Sequence, residues 1–449
     1  MLFNSYTFIF LFLPFVISGF FLLKPIYRMG FLIGASILFY AAWNITHLLL
    51  LLASAIGNYL MARWMKHSYN RRFILIVGII FNLIPLIYYK YGMSLHLSSY
   101  SLVLPLAISF YTFQQIAFLV DLYKKNITLN RFSDYLFFVL FFPQLVAGPI
   151  VHYRQIIEQI QKGVFETVKW NYIQAGTVLF SIGLFKKVIL ADQFFPIANK
   201  AFEHIVTLHS IDAWIGIVAY SYGIYFDFSG YTDMAIGLAL LFGIYLPVNF
   251  FSPYKAVNMV DFWRRWHITL SHFLRDYIYI PLGGNRKGSR REGYNLLITM
   301  ILGGIWHGAG WTFLLWGFFH GLLLVFIHLK QYHFPQWNFP KNTAIAFTFI
   351  AVTLLWVLFR ADNFTEAWHY YLVLFNFNMT QCLMNNTEIL LLLGGAAVIW
   401  FVPNSMEIVK YQSKIRVKRF YAVWAAVLFF IALKMMAESP VKSFVYFNF

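Results

Sequence analysis

Two histidines stand where a side-chain base could work, and the stretch that carries them sets the frame for the rest of the chain. His267 lies in DFWRRWHITLSHFLRDYIYIPLGGNRKG, and His307 lies 40 residues further on, in MILGGIWHGAGW. An imidazole titrates near neutral pH, with an unperturbed pKa of about 6.5, so it is the usual general base for taking a proton off a hydroxyl. His307 is framed by Gly303, Gly304, Gly308 and Gly310, with Trp306 and Trp311 beside it. Glycines let a second backbone or a threaded ligand come close. A buried histidine also has a plain structural use, as a hydrogen-bonded core residue. The sequence by itself leaves both uses of His307 open.

Around His267 the residue types suggest anion chemistry. If Asp261 to Ile278 is placed on one helix at about 100° per residue, Arg264, His267, Ser271 and Arg275 share a face. Phe262, Trp266, Leu270, Phe273 and Tyr277 take the opposite face, and Asp261, Arg265, His272 and Asp276 form a polar flank. Such a helix either lies in the membrane interface, with its arginines on lipid phosphates, or lines a polar cavity that neutralises an anionic substrate. Arginine suits the second role because its fork holds a phosphate through two hydrogen bonds.

Other chemistries lack a signature. The chain contains no Walker A loop, no G-x-S-x-G elbow and no H-E-x-x-H pair. His267, His272 and His307 lack recognisable ligand spacing, and the single cysteine, Cys382, allows neither an internal disulfide nor a multi-cysteine site. No bound metal or cofactor is expected.

The elements that must hold these residues are membrane helices. Of 449 residues, 60% are hydrophobic and 11% charged, where soluble domains run near about one quarter charged. The apolar stretches are long and continuous, so the spans are helices and not barrel strands. The predicted fold is an all-α polytopic protein of roughly ten to twelve membrane segments, some re-entrant or interfacial, around a polar funnel or tunnel. No internal repeat or long polar linker divides it, so residues 1–449 read as a single domain. The formal charge of +17 fits Lys- and Arg-rich cytoplasmic loops and calls for no nucleic acid. Basic loops at Arg63 to Arg72 and at Lys124 to Arg131 follow alternate crossings and put the N-terminus outside, its MLFNSYTFIF start reading as a first span.

Three places depart from plain spans. Phe31 to Leu60 is too long for one crossing and is expected to break near Trp43–Thr46. Tyr135 to Ile150, YLFFVLFFPQLVAGPI, is short and interrupted by Pro143, Gly148 and Pro149, so it is either a re-entrant cavity wall or a proline-kinked helix end. Asp227 and Asp233 open an apolar stretch, where acids are costly unless paired or wet. They mark either a polar site or a helix N-terminus capped by Ser229, Thr232 or Asp233.

Taken together, LFNSYTFIFLFLP, FFPQLVAGPI, DFSGYTDMAIGLALLFGIYLPVNF, DFWRRWHITLSHFLRDYIYIPLGG, GGIWHGAGW, LFRADNFTEA and FVYFNF resemble the membrane-bound O-acyltransferase family. The likeness is strongest to its bacterial branch of alginate O-acetylases and peptidoglycan O-acetyltransferases, over essentially the whole chain. The resemblance implies an acyltransferase of the bacterial cytoplasmic membrane, with His307 as the essential residue of the W-H-G turn and His267 as its polar partner. It also implies transfer of an acetyl group from a cytoplasmic donor, acetyl-CoA, toward an alginate, peptidoglycan or other polysaccharide outside. A secreted or membrane-anchored hydrolase-like partner is expected to finish the transfer. Substrate contacts are expected from Arg264, Arg265, Ser271, Arg275, Asp227, Asp233, Trp306 and Trp311. Two alternatives stand beside this reading: D-alanyl transfer to teichoic acid within the same family, and a transporter or flippase, which would carry an internal repeat.

Overall fold

The computed structural model describes residues 1–92, 103–337, 339–376, 384–438 and 442–445. Cys382 and the last four residues of FVYFNF lie outside the described residues. Among those described, the chain is helical throughout, with no strand. Six helices are long and apolar enough to cross a membrane: Ile45–His67, Arg71–Tyr91, the continuous Trp170–Glu203, Trp311–His333, Lys341–Arg360 and Arg419–Glu438. Thr7–Leu22, Pro25–Ala41 and Asn386–Phe401 are shorter apolar helices. This is a multi-pass membrane protein. It divides into two compact units, the first made of Met1–Leu184, Tyr231–Val248 and Ser405–Phe449, the second of Phe185–Gly230 and Asn249–Asn404.

In the first unit, helix α1 (Pro25–Ala41) and α2 (Ile45–His67) are separated where the sequence suggests. Asn44 makes the break, because its side chain caps α2 by accepting from the His47 amide at 3.0 Å. Helix α3 (Arg71–Tyr91) and α4 (Ile108–Tyr123) join α2 through buried amides. Asn58 and Asn82 exchange hydrogen bonds of 3.0 and 2.7 Å, and Asn58 also donates to Gln115 at 2.8 Å. Gln115 in turn donates to Ser54 and accepts from Tyr135. The stretch from Tyr135 is helical only to Leu140, then turns at Phe142–Leu145 and runs irregularly, and everything from Phe137 to Ile150 is buried. Broken backbone survives at membrane depth when protein covers it, and here it does.

Helix α5 (Ser210–Leu241) corrects one expectation. Asp227, Ser229, Thr232 and Asp233 lie in its interior, so none of them caps a helix, and both acids are buried. Thirty-two residues of helix continue where the sequence suggested a start, because the small and aromatic residues of FDFSGY pack without interrupting the backbone ladder.

In the second unit, α6 (Ser289–His307) and α7 (Trp311–His333) form an antiparallel hairpin whose backbones touch. A Cβ on Gly304 would stand 2.2 Å from the Phe313 carbonyl oxygen, and one on Gly317 would stand 2.3 Å from that of Met300. At Gly321 the nearest backbone atom, the Leu297 Cα, would be 3.1 Å away. Small residues at this spacing are how membrane helices reach van der Waals contact. The hairpin packs on α8 (Lys341–Arg360), and Met259–Trp263, Ile268–Leu274 and Phe364–Leu374 complete this side of the unit.

Candidate active site

The continuous helix expected over Asp261 to Ile278 does not form. Helix stops at Trp263, a turn runs through His267, a second short helix covers Ile268–Leu274, and Arg275–Tyr279 is a π-turn. The break has a local cause. His267 adopts φ 42°, ψ 52°, a left-handed conformation that costs a non-glycine residue about 1–3 kcal/mol. Neighbouring backbone holds it there: the Ile268 amide donates to the Asn249 carbonyl at 3.0 Å, and the Phe251 amide to that of Arg265 at 2.9 Å. The Arg264–His267–Ser271–Arg275 face therefore does not exist as a helical stripe. Arg265 pairs with Asp261 at 2.8 Å and Arg275 with Asp276 at 2.7 Å, and Arg264 is exposed while His267 is buried.

The same turn fixes the His267 tautomer. Asn249 Oδ1 lies 3.1 Å from His267 Nδ1 and accepts from both the Thr269 amide, at 3.2 Å, and the Thr269 hydroxyl, at 2.9 Å. A backbone amide only donates, so the atom it meets is the Asn249 oxygen and not its nitrogen. That oxygen requires a proton on Nδ1, which leaves the lone pair on Nε2. The segment belongs to none of the membrane-crossing helices, and burial lowers the pKa of His267 well below the ordinary imidazole value. The ring is neutral.

His307 is the last residue of α6 and is 5% exposed. Its ring sits among Trp306, Trp316 and Phe359, with centroids at 4.7, 5.1 and 5.0 Å. Trp306 also lies near the His267 ring, with centroids 6.4 Å apart, so one buried indole neighbours both histidines that the sequence singled out. Trp311 points away, 75% exposed, and Ser271 is partly buried on the short helix beyond the turn.

A third histidine escaped the sequence reading. His320, in the middle of α7, is fully buried against Trp316 at 4.5 Å and Trp263 at 5.2 Å. Neither of its ring nitrogens has a hydrogen-bond partner among the described residues, and neither do the indole nitrogens of Trp263 and Trp316. Its signal was available: an ionisable side chain inside an apolar crossing helix is unusual enough to mark a site. Asp227, also expected at the site, is spent on an ion pair. Lys187, fully buried on the π-turn Lys186–Ala191, reaches Asp227 at 2.7 Å and Asp192 at 2.8 Å. Asp233 belongs to the other unit.

The family model for membrane-bound O-acyltransferases matches residues 123–365, a stretch that holds His267, His307, His320 and Asn249. The chain belongs to the membrane-bound O-acyltransferase family. It is 42% identical over 416 residues to a peptidoglycan O-acetyltransferase of Helicobacter pylori, covering 82% of this chain and 78% of that protein. A probable alginate O-acetylase of Azotobacter vinelandii is 38% identical over 398 residues, covering 84% and 78%. A teichoic acid D-alanyltransferase of Bacillus subtilis is 28% identical over 320 residues, covering 66% and 78%. As a member of this family the protein is an enzyme, an O-acyltransferase.

Proposed function

We propose that this O-acyltransferase acetylates a polysaccharide, peptidoglycan, alginate or another exopolysaccharide, outside the bacterial cytoplasmic membrane. The acetyl group comes from acetyl-CoA on the cytoplasmic side, and the N-terminus lies outside. The observation that carries the reading is that His307 and His267 both neighbour the buried Trp306 ring, in a chain most of whose length aligns with O-acetyltransferases. The residues form one membrane-embedded catalytic domain.

In this mechanism His307 is the general base. It takes the proton of the acceptor hydroxyl as the oxygen attacks the thioester carbonyl. The new ester C–O bond forms, the C–S bond breaks, and the proton passes from the imidazolium to the leaving thiolate. General-base help of this kind is worth about 10²- to 10⁴-fold. His267 orients the acceptor. With its proton committed to Asn249, Nε2 accepts a hydrogen bond from a hydroxyl and does not donate one to an oxyanion. Of the three arginines, Arg264 is exposed and joins no ion pair among the described residues, which makes it the one suited to a donor phosphate. A secreted or membrane-anchored hydrolase-like partner completes delivery to the polymer.

The test is transfer of labelled acetyl from acetyl-CoA in membranes or detergent, comparing wild type with His307→Gln at matched folded protein. Label reaching an acceptor or partner in the wild type only supports the reading. Equal transfer by the two proteins removes His307 from the chemistry, and no transfer by either removes acetyl-CoA as donor.

A further inference from the structure

The hairpin has a second feature, at the end opposite His307. Between the start of α6 and the end of α7 lies a half-open groove of about 270 Å³, lined by Ser289, Glu292, Leu296, Val325, His328 and Leu329 among others. The groove's α6 lining runs from Ser289 to Leu296, so at about 1.5 Å per residue it lies roughly 16–27 Å along the helix from His307. It is not part of the candidate active site. Its volume falls short of the roughly 300–1,000 Å³ that encloses a small-molecule ligand, so it suits a headgroup better than a whole nucleotide carrier.

Two observations identify the occupant. The first is where the groove opens. Phe326, Leu329 and Tyr332 on α7 are exposed apolar or aromatic side chains at helical spacing, and Leu329 and Tyr332 also line the groove. Helix α7 is long and apolar enough to cross a membrane, and on such a helix this stripe faces lipid. The second is charge. Arg286, Lys287, Arg290, Arg291 and Lys330 flank the lining in sequence, against one lining carboxylate. That carboxylate, Glu292, is already engaged by His328 at 3.1 Å and by the Tyr279 hydroxyl at 3.4 Å. An apolar inner wall, a polar floor and a basic flank at a helix end match an amphiphile with an anionic head.

We propose that the groove is a binding site for an anionic phospholipid, the phosphate head among Arg286, Lys287, Arg290 and Arg291 and the upper chain along Leu296, Val325 and Leu329. The site needs no acyl transfer and stands whether or not the proposed substrates are right.

The experiment uses the full chain, purified in neutral detergent and stripped of lipid. Native mass spectrometry and thermal unfolding are followed while phosphatidylglycerol, phosphatidylcholine or inorganic phosphate is added. Phosphatidylglycerol is expected to bind and raise Tm, phosphatidylcholine to do so far less, and phosphate not at all. Each Lys or Arg near an anionic surface is worth about fivefold in affinity, so neutralising Arg286, Lys287, Arg290 and Arg291 together with Gln should weaken binding at least about a hundredfold. Gly293→Leu gives an independent arm. A Cβ there meets only Val325, at 3.5 Å, so the leucine fills the groove without straining the helix and should block the lipid with all four basic residues intact. Equal binding of both lipids, an equal effect of free phosphate, or undiminished binding to both variants would each overturn the proposal.

Discussion

Each unit buries a polar cluster, and the two clusters are built on opposite plans. In the first, Ser54, Asn58, Asn82, Gln115 and Tyr135 satisfy one another: amide meets amide at 2.7–3.0 Å, and the tyrosine hydroxyl closes the set at 3.0 Å. In the second, around His320, the imidazole nitrogens and the indole nitrogens of Trp263 and Trp316 are packed among aromatic rings with no partner among the described residues. A satisfied network inside a membrane helix bundle fixes which helices pair and at what register. A buried polar group without a partner costs about 1–3 kcal/mol, and an apolar ring would remove that cost. The first arrangement serves the fold, and the second leaves donors and acceptors that the described residues do not satisfy. On the proposed reading, the difference separates scaffold from reaction chamber.

The largest expected effect falls on the chamber. His307→Gln keeps a similar volume and removes the proposed base, so acyl transfer should drop about 10²- to 10⁴-fold while thermal unfolding changes little. A matched loss of fold and activity would instead make His307 a structural residue and erase the contrast. Next comes the ion pair of the second unit. Lys187→Met takes the cation from between Asp192 and Asp227, and breaking a buried pair from one side costs about 3–5 kcal/mol. The Tm of the detergent-purified protein should fall by many degrees. An unchanged Tm would show that water, and not Lys187, balances those carboxylates. A smaller effect follows in the first unit. Asn82→Ala leaves the Asn58 amide short of a partner and should cost about 1–3 kcal/mol, with transfer per folded molecule unaltered. If activity per folded molecule falls as well, the amide cluster is more than scaffold.

How far the sequence reveals these two clusters differs for physical reasons. Helical membrane architecture is legible from composition, the break at Asn44 from the length of the apolar run, and the irregular Tyr135–Ile150 stretch from its prolines and glycine. His307 and His267 are legible because their flanking motifs are dense in unusual residues. The shape of the His267 turn is not. Periodicity assumes a continuous helix, and the assumption fails at one residue with positive φ, which is held by Asn249 from 18 positions upstream. The Lys187–Asp227 pair joins residues 40 apart on different helices, so neither position signals its partner. Asp227 and Asp233 look like helix starts because acids favour N-termini, yet α5 runs through both.

His320 provides the sharpest test of the contrast, since fold and function should move in opposite directions. Phenylalanine reproduces the flat ring that Trp316 meets at 4.5 Å and Trp263 at 5.2 Å, but it carries no atom that wants a hydrogen bond. If the polar atoms exist for a bound molecule, His320→Phe should raise the unfolding midpoint by a few degrees, as about 1–2 kcal/mol of polar burial is relieved. Transfer should fall by roughly tenfold, the worth of one hydrogen bond of about 1.4 kcal/mol. His320→Gln, which keeps both a donor and an acceptor, should recover part of the rate without the gain in Tm. A phenylalanine variant that is both more stable and fully active would mean that the chamber tolerates its unpaired histidine for no catalytic reason. A less stable one would mean that the imidazole is held by contacts of its own, as the asparagines of the first unit are.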